Sequence, residues 1–285
     1  MSQVRIVTDS TADIPKDVRE KLGIEMVPLK VLFGTESYRD AVDISADAFY
    51  DKLTGSNVMP TTSQPSPIEF LEVYQQLAEQ GDGPIISIHL SSAMSGTYQS
   101  ALIAKTMIDD KIDIDVVDSK SASYGFGLLV VAAAEAARQG KSREEILAMI
   151  AGIRESTKIY FLVDTLEFLQ KGGRIGKAAA LVGSLLNIKP ILSISDDGQV
   201  FSVDKVRGTK KAMGRIAEML KQDFGHRPLH LIFAYTKGQE HAQELQRQLE
   251  SQFQVQSINY TQIGSVIGAH AGPGTIAVFA YPAQE

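Results

Sequence analysis

Three times before residue 130 the chain passes from an apolar stretch through a hydroxyl-rich turn into a helical pattern, and this repeat limits the fold more than any other feature. Val4 to Val7 leads into Thr8-Asp9-Ser10-Thr11-Ala12-Asp13, Pro84 to Leu90 into Ser91 to Tyr98, and Ile112 to Val117 into Asp118-Ser119-Lys120-Ser121. Short apolar runs closed by turn residues read as buried strands, and strands alternating with helices call for a mainly parallel sheet covered on both faces. Residues 1–157 are therefore expected to form a three-layer α/β domain. Sheets of this kind bind ligands at the carboxyl ends of their strands, where the three polar turns would lie together.

Helix punctuation supports the pattern. Pro15 and Gly23 bracket a short helix, Ser45 can cap one running to Leu53, and Gly140 closes a mostly apolar helix from Phe126 to Ala137. Ser66-Pro67-Ile68-Glu69 and Ser142-Arg143-Glu144-Glu145 are capping boxes, in which a serine and a glutamate three residues on satisfy each other's backbone N–H groups. Met26 to Phe33 reads as a single strand, and Thr54 to Pro67 as a long irregular connection. Residues 158–285 change character. Lys158–Val163, Pro190–Ser195, Gln199–Val206, Leu229–Tyr235, Val255–Tyr260 and Thr275–Tyr281 read as strands, and Asp197-Gly198 is a hairpin turn between two of them. Helices are expected at Thr209–Gln222, at Gln239–Phe253 and from the Gly172–Lys177 turn through Leu186. The result is a second α/β domain with a mixed sheet.

Composition narrows the function. A chain of 285 residues that is 44% hydrophobic can bury a large core. Its net charge of −6, with Lys and Arg scattered, argues against nucleic acid and anionic membranes as partners. It has no cysteine, which removes thiolate metal sites, disulfides and a thiol nucleophile. The five histidines show no metal spacing, so neither metal nor cofactor is expected. Met1 to Val7 enters a strand pattern without a signal-peptide core, and no apolar run approaches the ~20 residues that span a bilayer. A cytoplasmic protein without stable membrane insertion is expected.

The candidate chemistry lies in two small stretches. Ser91-Ser92-Ala93-Met94-Ser95-Gly96-Thr97 joins a strand to a helix, where free N–H groups, the helix dipole and orientable hydroxyls suit a phosphate or carboxylate; Ser92 or Ser95 acting only as a helix cap is the plainer reading. His270 sits in Gly268-Ala269-His270-Ala271-Gly272-Pro273-Gly274, where small neighbours leave an imidazole room to face another surface, or form a packed turn. His89 reads as a core or edge residue. Gly172-Gly173-Arg174-Ile175-Gly176-Lys177 lacks the spacing of a phosphate-binding P-loop. Ser95 with His270 also raises an acyl hydrolase, although Ala-Met-Ser-Gly-Thr is not the nucleophile elbow of an α/β-hydrolase.

Five stretches in order, Val7 to Asp13, Thr61 to Ser66, Ser91 to Ala101, Gly172 to Ile175 and the glycine-rich run around His270, resemble the DegV family over essentially the whole chain. That resemblance implies two α/β domains with a fatty acid buried between them, and a lipid carrier for bacterial fatty acid kinase in place of a stand-alone enzyme. It implies a C16–C18 fatty acid such as palmitate, held by its carboxylate at Thr62, Ser95 and the Gly96 N–H and approached by His270. Thr61 and Ser92 are the alternatives to Thr62 and Ser95. Arg174 and Arg207, the latter within Lys205, Lys210 and Lys211, would dock the kinase subunit, although that cluster also reads as a solvated helix start. A sensor whose two domains close on a small anion is the remaining alternative.

Overall fold

The computed structural model of the chain describes residues 3–108, 112–183 and 188–283. The first part runs β1 (Arg5–Asp9), α1 (Lys16–Leu22), β2 (Glu25–Val27), β3 (Lys30–Phe33), β4 (Glu36–Arg39), α2 (Ala46–Gly55), β5 (Thr61–Ser63), α3 (Pro67–Gln80), β6 (Ile85–His89), α4 (Thr97–Met107), β7 (Ile114–Asp118), α5 (Tyr124–Arg138) and α6 (Arg143–Ser156). The second runs β8 (Lys158–Leu162), α7 (Glu167–Lys171), β9 (Ile188–Ile194), β10 (Val200–Arg207), α8 (Thr209–Phe224), β11 (Leu229–Tyr235), α9 (Glu240–Glu250), β12 (Val255–Gln262), α10 (Ser265–Ala271) and β13 (Ile276–Pro282).

Strands β2, β1, β6 and β7 form the parallel sheet that the alternating pattern demands. Period-2 geometry sorts its side chains. Ile6, Ile86 and Ile88 pack with α5 and α6, while Val7 and Ile85 pack with Phe70 and Tyr74 of α3 and Ala101 and Ala104 of α4. The sheet is the middle of three layers. Both capping boxes form as expected. Pro15 is the N-cap of α1 and not its first helical residue, and Gly23 ends that helix in the left-handed conformation.

The second sheet is mixed, in the order β10-β9-β8-β13-β11-β12, with the β9–β10 hairpin closed around Asp197-Gly198. One face carries α8 and α9 over Tyr160, Leu231, Phe233 and Val278. The other turns Ile232, Ala277 and Phe279 toward Leu128 and Tyr124 of α5. Helix α5 is thus buried against both sheets. An apolar sequence on all sides is what that position requires.

Three readings of the sequence are corrected. Met26–Phe33 is two strands: after β2 the chain leaves the parallel sheet at Pro28, which has no N–H to donate to a ladder, and β3 enters a separate antiparallel sheet, β4-β3-β5. The irregular connection holds β5, whose Thr62 pairs with Val31. The region before Gly172 forms the short helix α7, and a 3-10 turn covers Gly176–Leu181; the expected helix end near Leu186 lies outside the described residues. No helix among the described residues is long and apolar enough to cross a membrane.

Candidate functional site

A cavity of about 370 Å³ lies where the sheets meet, within the ~300–1,000 Å³ typical of small-molecule sites. Its body is apolar: Leu29 and Leu90 from the first part, Ile159, Phe161, Ala277 and Phe279 from the mixed sheet, and Val266 and Ile267 from α10. Its polar groups include Thr62, Gln64, Ser95, Ser123, Arg174 and His270. Among the described residues no carboxylate lines it, and Arg174 is the one lining side chain charged at neutral pH.

Thr62 and His270, 208 residues apart in sequence, are in contact. The Thr62 Oγ1 and His270 Nε2 atoms stand 2.8 Å apart. The sequence hid this geometry, because His270 lies on the short helix α10 and not in a turn. Opposite Thr62, the buried Nδ1 has no hydrogen-bond partner and lies against Gly172, where a Cβ would collide with it. Burial first and the nearby Arg174 charge second push the imidazole down to about 4, so His270 is neutral at physiological pH. Arg174 donates from Nε to the Met94 carbonyl at 3.0 Å and from Nη1 to the Gly172 carbonyl at 2.7 Å. It ties the serine loop to the loop beside His270.

Ser95 lines the same cavity, its Oγ 2.9 Å from Thr97 Oγ1 and accepting the Thr97 N–H. Gly96 lies just beyond the lining as the N-cap of α4. Its backbone is ordinary, and a side chain there would strike the Gln64 amide, which packs over the loop and donates to Ser100 Oγ at 3.2 Å. Gln64 was not legible as a site residue; its only signal was a place inside the Thr61–Ser66 stretch. Ser92 and Thr61 are exposed and outside the lining. The Ser92 hydroxyl donates to Asp118, and strand alternation turns Thr61 away from the face that Thr62 occupies. Arg207 ends β10 on the surface, away from the cavity, and Lys205, Lys210 and Lys211 are exposed as well.

A hydrolase is not assembled here. Ser95 bonds to Thr97, His270 to Thr62, and none of the described residues of the cavity wall is a carboxylate that could orient the imidazole. A Ser-His-Asp chain does exist elsewhere: Tyr74 Oη donates to Ser87 Oγ at 2.8 Å, Ser87 Oγ meets His89 Nε2 at 2.7 Å, and His89 Nδ1 meets Asp9 Oδ2 at 3.0 Å. All four residues are fully buried, so this chain satisfies polar groups inside the sheet–α3 layer and meets no substrate. No group of three or more His, Asp or Glu among the described residues could hold a metal ion.

A largely apolar cavity lined from both α/β units, with Thr62 and a neutral His270 in contact in its wall, has the make-up of a small-molecule site. The chain belongs to the DegV family, whose sequence model, described as uncharacterised proteins, matches residues 3–283. A DegV domain-containing protein of Caldanaerobacter subterraneus is 41% identical over 98% of this chain and 99% of its own. Among solved structures, a DegV family protein from Thermus thermophilus described by its fatty acid binding superposes with a TM-score of 0.92 at 37% identity, covering 99% of this chain and all of that one. DegV of Bacillus subtilis, described as a fatty acid binding protein, gives 0.89 at 36% identity over 99% of this chain and all of its own. The expected two-domain α/β fold is the one observed.

Proposed function

We propose that this protein carries a long-chain fatty acid, of C16–C18 length, in the cavity and presents its carboxylate to a partner kinase in the cytoplasm. The carrying observation is the make-up of the wall: Thr62 in contact with His270, Arg174 tying the serine loop to Gly172 beside that imidazole, no carboxylate among the described lining residues, and an otherwise largely apolar lining. The fatty acid binding of the related DegV proteins supports the same reading. Burying an alkyl chain contributes about 0.8 kcal/mol per methylene, on the order of 11 kcal/mol for about 14 of them before ordering costs. A hydrogen bond to the charged headgroup adds only ~1.5–3 kcal/mol. The chain supplies affinity, and Thr62, Ser95 and His270 fix which end faces the kinase.

That orientation serves phosphoryl transfer. One carboxylate oxygen attacks the γ-phosphorus of ATP in line, the bond to the β-phosphate oxygen breaks, and acyl phosphate and ADP leave. Arg174 at the headgroup end and the exposed Arg207 cluster supply positive charge for docking the acidic nucleotide or its kinase. The test is native mass spectrometry of the purified protein with solvent extraction of its lipid. A stoichiometric C16–C18 fatty acid released intact is expected. A protein that is empty and takes up no added palmitate overturns the proposal. For presentation, His270→Ala is expected to impair kinase-dependent phosphorylation more than palmitate retention, and equal loss of both refutes an orienting role.

A further inference from the structure

The Asp-rich turn after β1 and the residue Asp40 contribute nothing to the cavity wall, yet both reach the helix that carries His270. Helix α10 has no side-chain cap of its own, because its N-cap is Gly264. Its first N–H groups are taken by carboxylates from the other end of the sequence. Asp13 Oδ1 accepts the Gly264 N–H at 2.9 Å, and Asp40 Oδ1 accepts both the Ser265 N–H at 3.1 Å and the Ser265 hydroxyl at 2.6 Å. Asp13 also accepts the Ser123 hydroxyl on Oδ2 and the Thr261 hydroxyl on its carbonyl.

The molecule maintains this clamp against opposing terms. Asp13 and Asp40 are 8% and 2% exposed, and burial raises both carboxyls above their ordinary range. Asp13 (φ 51°), Ser123 (φ 54°) and Ala41 (φ 58°), beside Asp40, hold left-handed conformations that non-glycine residues keep only where the surroundings impose them. Helix α10 is also held along its flank. Gly268 admits Tyr50, whose hydroxyl donates to the Ile263 carbonyl at 3.0 Å.

We propose that Asp13 and Asp40 are positioning residues of the ligand site, whose grip on the N-terminus of α10 sets where His270 meets Thr62 and the bound carboxylate. The mechanical argument is short. His270 lies five residues beyond Ser265, and a slip of one residue at the cap moves the helix by ~1.5 Å and turns it by ~100°. Either displacement breaks the 2.8 Å contact with Thr62. The part of the inference concerning the ligand rests on the orienting role of His270 proposed above.

The experiment uses the full-length protein, free of ligand for the imidazole titration and loaded with palmitate labelled with carbon-13 at the carboxyl for the lipid signals. Asp40→Asn, Asp13→Asn and the milder Ser265→Ala are compared with His270→Gln. Two signals are followed: the imidazole titration of His270 by nitrogen-15 NMR, and the bound carboxyl resonance with its dissociation rate. In Asp40→Asn, the His270 midpoint is expected to rise from about 4 toward the ordinary 6.5, the carboxyl resonance to move to its position in His270→Gln, and palmitate to leave roughly tenfold faster. Ser265→Ala, which spares the carboxylates, gives the same changes in smaller measure and decides the matter if the aspartate variants do not fold. Unchanged His270 titration in folded variants overturns the clamp while leaving the lipid reading intact. If His270→Gln itself leaves the carboxyl signal and dissociation unchanged, the orienting role falls, and the imidazole titration still decides whether the clamp places His270.

Discussion

Gly172→Ala puts a single methyl group against His270. The Gly172 backbone (φ −74°) suits any residue, so the substitution introduces no backbone strain and acts through space alone. The added Cβ would stand 2.9 Å from the Phe168 carbonyl and 3.1 Å from His270 Cε1, and closer still to Nδ1. Restoring a normal ~3.5 Å contact requires the imidazole to move by about an ångström or more. It has little room to do so, because Nε2 on the other side of the ring is already 2.8 Å from Thr62. Overpacking costs about 1–3 kcal/mol and a lost neutral hydrogen bond about 0.5–1.5 kcal/mol, so a stability loss of about 2–4 kcal/mol is expected. Gly173→Ala is the control. Its Cβ meets nothing within 4 Å but must adopt φ 71°, a local penalty of about 1–2 kcal/mol that leaves the imidazole alone. Denaturant unfolding gives the stabilities, and the His270 ring resonances report the displacement. Wild-type ring signals in Gly172→Ala, or equal stability losses in the two variants, would refute the close-packing argument.

Protonation of His270 is disfavoured in the folded protein, so the unfolded chain binds more protons between pH 6.5 and about 4, and stability falls as pH drops through that window. The drop from 6.5 to about 4 is worth about 3 kcal/mol, and His270→Gln should flatten the stability curve by that order over the same range; parallel curves would contradict it. Ala277→Phe fills the apolar body without touching the polar end, and should weaken binding of long fatty acids relative to shorter ones in a competition series. An unaltered chain-length preference would show that the acyl chain does not run past the mixed sheet. Arg174→Met removes the ties to Met94 and Gly172 while keeping much of the side-chain volume; the serine loop should then exchange its amide hydrogens faster, and unchanged exchange at Met94 to Thr97 would discount the tie.

The elements that announce themselves in the sequence are those stabilised locally or by a regular apolar period. Strands β1, β6 and β7 of the parallel sheet, both capping boxes and the Asp197-Gly198 hairpin belong to this group. What stayed hidden depends on distant partners. Thr61–Ser63 has no apolar alternation and becomes a strand only because β3 offers an edge. Helix α10 sits in a glycine-rich run and is uncapped in its own sequence, and its cap comes from Asp13 and Asp40. The candidate site was legible as residue types and illegible as geometry. Thr62 and His270 could be named, but not Gln64, nor the fact that Ser92 and Thr61 face outward, because one-residue differences in direction are decided by register and packing.

The cavity wall is divided between two sheets, with Leu29 and Leu90 on one side and Phe161 and Phe279 on the other. A molecule filling it is therefore a shared core residue for both units, supplied from outside the chain. Anything that binds only the folded form adds RT ln(1 + [L]/Kd), about 4.1 kcal/mol at a thousandfold excess over Kd. On the proposed fatty-acid reading, the melting temperature of freshly isolated protein becomes a gauge of how much lipid the cell had to spare.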